Sequence, residues 1–252
     1  MAPKPFLSLV TLAAGLCGFT CAMHAAEPAA GETPATEAAR WPGKFVWHEL
    51  LTSGVPAESA HFYAGLLGWE AETVGEGAYA AVRLSAHGRP VAGIVHRADA
   101  KPGVRRARWL AFVSVPEVAA AVKAHTDAGG IVLASAGAWS GGGERAVVAD
   151  AEGAPLGLVT ASGGDGGEYA AADGEWMWTI LFSRRPETAL EFYAKMLGYD
   201  VHPERRTPLF QGDFILARGV RARAGVMVLP SRSGGRSGWL GLVRVADLEA
   251  TL

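Results

Sequence analysis

The chain has 252 residues, which suits one large domain or two ordinary ones, and 50% of them are hydrophobic. Its 23 basic and 25 acidic residues give a formal net charge of −2, so the chain lacks the basic footprint of a nucleic-acid-binding protein. Glycine, at 33 residues, is about twice its usual share of roughly 7%. We therefore expect a globular, loop-rich protein that does not bind nucleic acid.

The first 26 residues have the order of a secretory signal peptide. Lys4 precedes an apolar run over residues 6–16, and small residues end the segment. The apolar run is too short for a comfortable membrane span, which needs about 20 residues. We therefore predict export to the periplasm or the cell exterior, without a stable membrane span, after cleavage behind Ala22 or Ala26.

Both cysteines of the chain, Cys17 and Cys21, lie in this segment, so the mature protein would have neither a disulfide nor a thiol nucleophile. A lipid anchor is the alternative localisation, although Leu16 and Thr20 precede the cysteines where a small residue is needed. Residues 27–43 are rich in Ala, Pro, Glu and Thr and have no apolar periodicity, which predicts a flexible spacer.

A long repeat follows the spacer. The segment Trp47–Trp69 is similar in sequence to Trp178–Tyr199, and several residues recur 130 positions later. These are Pro56, Phe62, Tyr63, Leu67, Gly68, Trp109, Val113 and Val115, which return as Pro186, Phe192, Tyr193, Leu197, Gly198, Trp239, Val243 and Val245. We therefore predict two modules, over residues 44–160 and 175–252, joined by a glycine-rich linker over residues 161–174.

The second half of the first module has one strand, one helix and three short strands, and the first half has one strand, one helix and two short strands before the same order restarts. The strands are predicted at 44–51, 78–84, 90–96, 109–115, 131–134, 145–149 and 156–160, and the helices at 56–67 and 116–128. This predicts an α+β fold of paired β-α-β-β-β units, with cupped mixed sheets and helices on their convex face. The repeat places Leu252 at Val122, so the second module is predicted to lack about 38 residues of matching strands.

Three motifs carry a family resemblance. Each module has a helix with F-Y-x-x-x-L-G followed by Trp or Tyr, the first module also has D-x-x-G-x-x-x-x-L from Asp150, and it opens with W-x-E-L-x-T from Trp47. These motifs resemble the vicinal oxygen chelate superfamily, which includes glyoxalase I, extradiol dioxygenases and bleomycin-resistance proteins. The tandem layout is similar to that of glyoxalase-like proteins with two modules in one chain.

The enzymes of this family hold a divalent metal with four His, Glu or Gln ligands, and the resemblance implies where these would lie. The positions are Trp47 or His48, Val95 or His96, Trp109 and Gly157, with Trp178, Met227 or Val228, and Trp239 in the second module. Because Trp and Gly do not ligate metals through their side chains, the resemblance implies no metal cofactor. The alternative is a three-ligand site of His48, His96 and Glu49. Residues 48 and 49 point to opposite faces of a strand, so at most one of them faces the cup.

Four tryptophans stand at equivalent places, each near the start of a strand that precedes a helix: Trp47, Trp109, Trp178 and Trp239. They would either fill a cup that has no metal or line a pocket for a planar or apolar small molecule, with Glu49 as its polar anchor. We predict that Trp47 and Trp109 approach each other in the cup while His48 lies on the helix side.

The expected function is that of an exported glyoxalase-like protein that binds a small molecule in an aromatic-lined cup without metal. The alternative is a divalent-metal-dependent lyase, isomerase or dioxygenase of the glyoxalase I type, so whether the protein is an enzyme stays open. A small molecule is the expected partner, and a homodimer is compatible with the fold. The basic stretch Lys101–Arg108 is expected to be a solvated linker rather than an anion site.

Overall fold

The computed structural model of the protein describes residues 39–97, 107–203, 214–230 and 234–251. The predicted signal peptide, both cysteines, most of the spacer and most of the stretch Lys101–Arg108 lie outside the described residues. Among the helices that are described, none combines the length and the apolar character that a membrane crossing requires.

The first module contains eight strands and two helices. In chain order they are β1 (Phe45–Thr52), α1 (Pro56–Leu67), β2 (Glu70–Val74), β3 (Ala81–Ala86), β4 (Arg89–His96), β5 (Ala107–Ser114), α2 (Val118–Asp127), β6 (Ile131–Ala138), β7 (Gly143–Ala149) and β8 (Pro155–Ala161). They form one sheet in the order β2-β3-β4-β1-β5-β8-β7-β6. The two central strands, β1 and β5, are antiparallel, whereas β4 is parallel to β1 and β8 is parallel to β5. The sheet is therefore mixed, and its two halves have the same topology.

The second module repeats the first part of this arrangement. Its elements are β9 (Trp176–Ser183), α3 (Pro186–Leu197), β10 (Asp200–Pro203), β11 (Phe214–Arg218), β12 (Arg221–Val228), β13 (Gly238–Val243) and α4 (Leu248–Thr251). The sheet order β10-β11-β12-β9-β13 matches β2-β3-β4-β1-β5 of the first module. The predicted α+β fold is confirmed, and the two modules fit the two sheets. The module boundaries and the incompleteness of the second module stay predictions.

Helices α1 and α3 begin and end with the same local signals. Each has proline in its first turn, where the missing backbone N–H has no intrahelical partner to lose. Each ends at a glycine in the left-handed region, Gly68 at φ 68° and Gly198 at φ 66°. Because glycine has no Cβ, it adopts this conformation without the strain that other residues meet.

The strand pairing settles how the two modules align. Trp178 pairs with Leu242 on β13 as Trp47 pairs with Phe112 on β5, so the first strands are related by an offset of 131, one more than the helices. The extra residue of the first module therefore lies between Thr52 and Pro56. In consequence Trp178 is the equivalent of Trp47, and the equivalent of His48 is a threonine, Thr179.

A tryptophan–tyrosine hydrogen bond joins helix and sheet in both modules. Trp109 Nε1 on β5 donates to Tyr63 Oη on α1 at 2.9 Å. Trp239 Nε1 on β13 donates to Tyr193 Oη on α3 at 3.1 Å. Each bond fastens the first helix of a module to the strand that neighbours its first strand, so the duplicated residues are structural ties.

The modules contact each other reciprocally through aromatic rings. Phe45, at the start of β1, packs on Trp239 of the second module with ring centroids 5.1 Å apart. Trp176, at the start of β9, packs on Trp109 of the first module at 5.2 Å. The same pair of positions is therefore used twice with the modules exchanged, which is the pattern of a two-fold-related interface. A buried hydrogen bond from Tyr193 Oη to Asp150 Oδ2, 3.0 Å long, adds a polar tie across the interface.

The predicted linker is fastened to the first module at Asp165. This carboxylate is buried and accepts hydrogen bonds from the Trp41 backbone N–H and from Ser114 Oγ, the latter at 2.6 Å. The end of the predicted spacer is held by the same contact. Glycine content favours chain flexibility, but here the hydrogen bonds of one carboxylate hold both segments on the sheet.

Replacing Tyr193 by phenylalanine is expected to lower the free energy of unfolding by about 2 kcal/mol, because Asp150 Oδ2 and the Trp239 indole N–H both lose their hydrogen bonds to the hydroxyl. Burial and the nearby Asp150 carboxylate raise the pKa of Tyr193 well above its usual range, so the hydroxyl keeps the proton that it donates. Urea denaturation measures the change. The matched variant Tyr63→Phe breaks only the bond from Trp109 and should have a smaller effect; equal effects would contradict a tie between the modules.

Candidate functional site

The register between β1 and β5 sorts the predicted site residues onto two faces of the first sheet. Directly paired residues share a face, and Trp47 pairs with Phe112 whereas Leu50 pairs with Trp109. Leu50 packs with Ala60 of α1, so its face is the one covered by helices. The opposite face bears Trp47, Glu49 and Phe112, and we call it the helix-free face.

A buried ion pair stands at the centre of the helix-free face. Glu49 is 2% exposed, and both of its carboxylate oxygens accept hydrogen bonds from Arg145 Nη1 on β7. Trp139, in the turn before β7, donates from Nε1 to Glu49 Oε1 at 3.4 Å. The Arg145 guanidinium also lies 5.7 Å from the centre of the Phe112 ring. A buried carboxylate needs such partners, since an unpaired charge in the interior is strongly destabilising.

Aromatic rings surround this pair. Trp47 and Trp139 meet edge to face with centroids 5.7 Å apart, and both are partly exposed. Trp47 Nε1 itself is buried and has no hydrogen-bond partner among the described residues. Arg145, with 30% of its side chain exposed, reaches the surface beside the two rings. The cluster therefore combines planar apolar surface, one accessible cation and one unsatisfied donor.

Sequence reasoning missed Trp139 and Arg145. Glu49 was a candidate, and its position on a predicted buried strand was a signal that it needed a cationic partner. The partner lies 96 positions away on a strand that is not adjacent to β1, so no local pattern indicated it.

The prediction that Trp47 and Trp109 approach each other in one cup is wrong, because the register places them on opposite faces. Trp109 and Trp239 lie on the helix side, where their indole N–H groups bind Tyr63 and Tyr193. Trp178 behaves like Trp47. A Cβ added to Gly93 would lie 3.2 Å from the Trp47 ring, and one added to Gly225 would lie 3.2 Å from Trp178 Nε1. In both modules an indole thus lies over a bare glycine of the neighbouring strand.

The alternative metal ligands are not brought together. His48 is on the helix side, stacked on Trp176 with centroids 3.8 Å apart, whereas Glu49 is on the helix-free face. His96 is paired in register with Thr52, four residues along β1, and its Nδ1 lies 3.2 Å from the Gly54 carbonyl oxygen. Within the described residues no group of three or more His, Cys, Asp or Glu is placed to hold a metal ion.

The space at Gly157, where the family resemblance implies the fourth metal ligand, is also occupied. Gly157 pairs with Phe112, and a Cβ at Gly157 would lie 2.1 Å from the Phe112 ring. The ring therefore occupies the space in which a ligand side chain of this position would stand. The residues present do not fit the four-ligand metal site that the family resemblance implies.

Two cavities, of about 230 and 320 Å³, lie elsewhere, where α2 and α3 meet. The smaller is lined by residues that include Ala128 and Phe192, and the larger by residues that include Ala121 and Met196. Both belong to the interface between the modules and contain none of the predicted site residues.

Replacing His48 by glutamine is expected to make the stability of the protein less sensitive to acid. Burial lowers the pKa of His48 to about 3, whereas the unfolded chain takes up this proton near pH 6.5. The wild-type free energy of unfolding should therefore fall by about 1.4 kcal/mol per pH unit as the pH drops below about 6.5. This decrease should end when the pH reaches the pKa of His48 in the folded protein. The variant should lack this contribution, so its loss between pH 7 and pH 5 should be about 2 kcal/mol smaller.

Urea denaturation at the two pH values measures this difference. His61 lies exposed on α1, so His61→Gln is the matched control and should keep the wild-type dependence on pH. Identical behaviour of the His48 variant and the wild type would contradict the burial of a neutral imidazole at the interface.

Comparisons with known proteins agree with this architecture. Residues 50–159 match the family model of the glyoxalase-like domain. The chain is 27% identical over 209 residues to a protein named glyoxylase CFP32 from Mycobacterium bovis, covering 81% of this chain and 78% of that protein. It is 29% identical over 223 residues to the anthracycline biosynthesis protein DnrV from Streptomyces peucetius, covering 84% of this chain and 80% of that protein.

Solved structures show the same fold. The Mn(II)-bound glyoxalase from Novosphingobium aromaticivorans superposes with a TM-score of 0.54 at 20% identity, over 75% of this chain and 62% of that one. The 2,2',3-trihydroxybiphenyl 1,2-dioxygenase from Sphingomonas wittichii superposes with a TM-score of 0.53 at 13% identity, over 75% of this chain and 68% of that one. Residues 50–159 therefore match a glyoxalase-like domain, and the chain as a whole is similar to these relatives and shares the fold of the two solved structures.

Proposed function

We propose that the protein binds a planar, largely apolar small molecule on the helix-free face of its first module, without a metal ion. The observation that carries this proposal is the cluster of Trp47 and Trp139 around the Glu49–Arg145 pair, on the face that bears Trp47, one of the positions at which the family resemblance implies a metal ligand. Indole rings offer a large apolar surface together with a polar edge, and few convergent polar groups fix the orientation of a ligand in such sites.

The polar groups narrow the class of ligand. Arg145 Nη1 is engaged by Glu49, but part of the side chain is exposed and offers further donors. The buried N–H of Trp47 is unsatisfied, and an unpaired buried donor typically destabilises by about 1–3 kcal/mol. A ligand with carbonyl or phenolic oxygens on a planar ring system would supply acceptors to the exposed part of the Arg145 side chain. The relatives named as anthracycline biosynthesis proteins support a polycyclic aromatic ligand of this kind.

Binding of an anthracycline, followed by calorimetry in buffer containing a metal chelator, tests the proposal. We expect saturable binding by the wild type and an affinity at least about tenfold lower for Trp139→Leu, because a stacking surface of about 1.4 kcal/mol is removed. Phe62→Ala is the matched control, since Phe62 is an exposed aromatic residue on α1, away from the helix-free face.

Two results would contradict the proposal. Equal affinity of the wild type and Trp139→Leu would place the ligand elsewhere, and binding only after addition of a divalent ion would favour the metal-dependent alternative. A divalent ion that stays with the purified protein and is lost on replacement of His48 or His96 would have the same meaning.

We also propose that the protein acts outside the cytoplasm. The order of charge, apolar run and small residues before Ala26 supports this. Mass spectrometry of the mature N-terminus should show a chain that begins after Ala22 or Ala26. A retained N-terminus would contradict export, and a lipid-modified Cys17 or Cys21 would favour the anchored alternative.

A further inference from the structure

Three exposed arginines lie near one another where the two modules meet. Arg97 and Arg108 belong to the first module, and Arg236 belongs to the second. We propose that they form a binding site for a doubly charged oxyanion, a phosphate group above all, which bridges the modules. This site goes beyond the proposed function, since it does not depend on what the helix-free face binds.

Strand pairing places the first two arginines on either side of β1. Arg97 follows β4, and its backbone N–H donates to the carbonyl oxygen of Thr52 at 2.8 Å. Arg108 lies at the start of β5 and is paired in register with Leu51. Since neighbouring strands are about 4.8 Å apart, the two backbone positions are separated by about 10 Å across β1. Arginine side chains are long enough for their guanidinium groups to meet around one anion over that distance.

The second module brings the third arginine to the same place. Arg108 Nη2 lies 3.7 Å from the position that a Cβ of Gly238 would take, so the guanidinium rests against the start of β13. Arg236 stands two residues before Gly238 on the same segment. The same Cβ position lies 4.0 Å from the Arg236 carbonyl oxygen, so Arg108 reaches the segment that carries Arg236.

The charge of Arg108 stands beside two further positive charges. Its pKa is lowered by partial burial first and then by the positive charges of Arg236 and Arg97. Within the described part of the chain, none of the three arginines has a carboxylate partner. Six other arginines do have one: Arg83, Arg89, Arg145, Arg185, Arg223 and Arg244. Arg184 and Arg218 donate to backbone carbonyl oxygens instead, whereas Arg97, Arg108 and Arg236 lie near one another at this junction.

The chemistry of the guanidinium group selects the ligand. Arginine presents a planar fork of donors that matches the oxygens of phosphate or carboxylate, and it keeps its charge at any physiological pH. Three such groups can neutralise a dianion and supply several donors to it, whereas chloride offers neither the geometry nor the charge. A bound phosphate would also remove the repulsion between the modules and so stabilise the folded protein.

The test is a titration with inorganic phosphate at constant ionic strength, with sodium chloride as the balancing salt. We expect phosphate to raise the melting temperature and to bind in calorimetry, with an affinity at least tenfold weaker for Arg108→Gln. Arg108→Lys should lie between the two, because lysine keeps the charge but not the fork. A phosphate monoester, glycerol phosphate, tests whether the site takes phosphate as a free ion or as a group on a larger molecule.

Stability without phosphate separates an anion site from a structural role. Removing one of three mutually repelling charges should leave Arg108→Gln at least as stable as the wild type in chloride alone. Arg83→Gln, which breaks an exposed pair with Glu72, is the control and should bind phosphate as the wild type does.

The proposal is overturned if phosphate acts no more strongly than chloride, or if Arg108→Gln binds it like the wild type. If Arg108→Gln does not fold, Arg236→Gln takes its place, and unchanged binding by that variant overturns the bridging role. A loss of stability in chloride together with unchanged phosphate affinity would make these arginines structural.

Discussion

The register between β1 and β5 decides what each face of the first sheet can do. It pairs Trp47 with Phe112 and Leu50 with Trp109, so alternate residues of β1 are committed to different environments. A shift of one residue would move Glu49 to the helix side, away from Arg145, and would bring His48 to the helix-free face. The ion pair, the aromatic cluster and the interface between the modules all depend on this one alignment.

The duplicated architecture uses equivalent residues for equivalent tasks. Trp109 and Trp239 bind the tyrosines of α1 and α3, and Phe45 and Trp176 pack reciprocally on those tryptophans. Residues that differ between the modules lie where the tasks differ. His48 is buried against Trp176, whereas its equivalent is Thr179, and Glu49 with its cation Arg145 is replaced by Ile180 in the second module. The repeated residues of the interface thus maintain the fold, whereas Glu49 and Arg145, which belong to the candidate site, are not repeated.

On the helix-free face, other side chains fill the positions at which the family resemblance implies metal ligands. At the position implied for the fourth ligand, Gly157 has no side chain and the Phe112 ring occupies the space. At the position implied for the first ligand, Trp47 lies over Gly93. The Glu49 carboxylate on this face is engaged by Arg145. The space and the charge that a metal site requires are therefore taken up by side chains of the chain itself.

Much of the fold could be predicted from the sequence because its signals are local or repeated. Proline and glycine at the ends of α1 and α3 mark those helices, and the repeat from Tyr63 to Tyr193 indicates two similar modules. The alternation of side chains along β1 was also readable, since it follows from the two-residue period of a strand.

Only the tertiary structure decided which face of β5 carries Trp109, that Arg145 and Trp139 complete the environment of Glu49, and that Arg236 joins Arg97 and Arg108. Each of these depends on register or on contacts between residues far apart in the chain. Periodicity sorts the residues of one strand onto two faces. It does not determine which residues of the neighbouring strand lie on the same face of the sheet. That choice is made by hydrogen bonding between strands and by the packing of one module on the other.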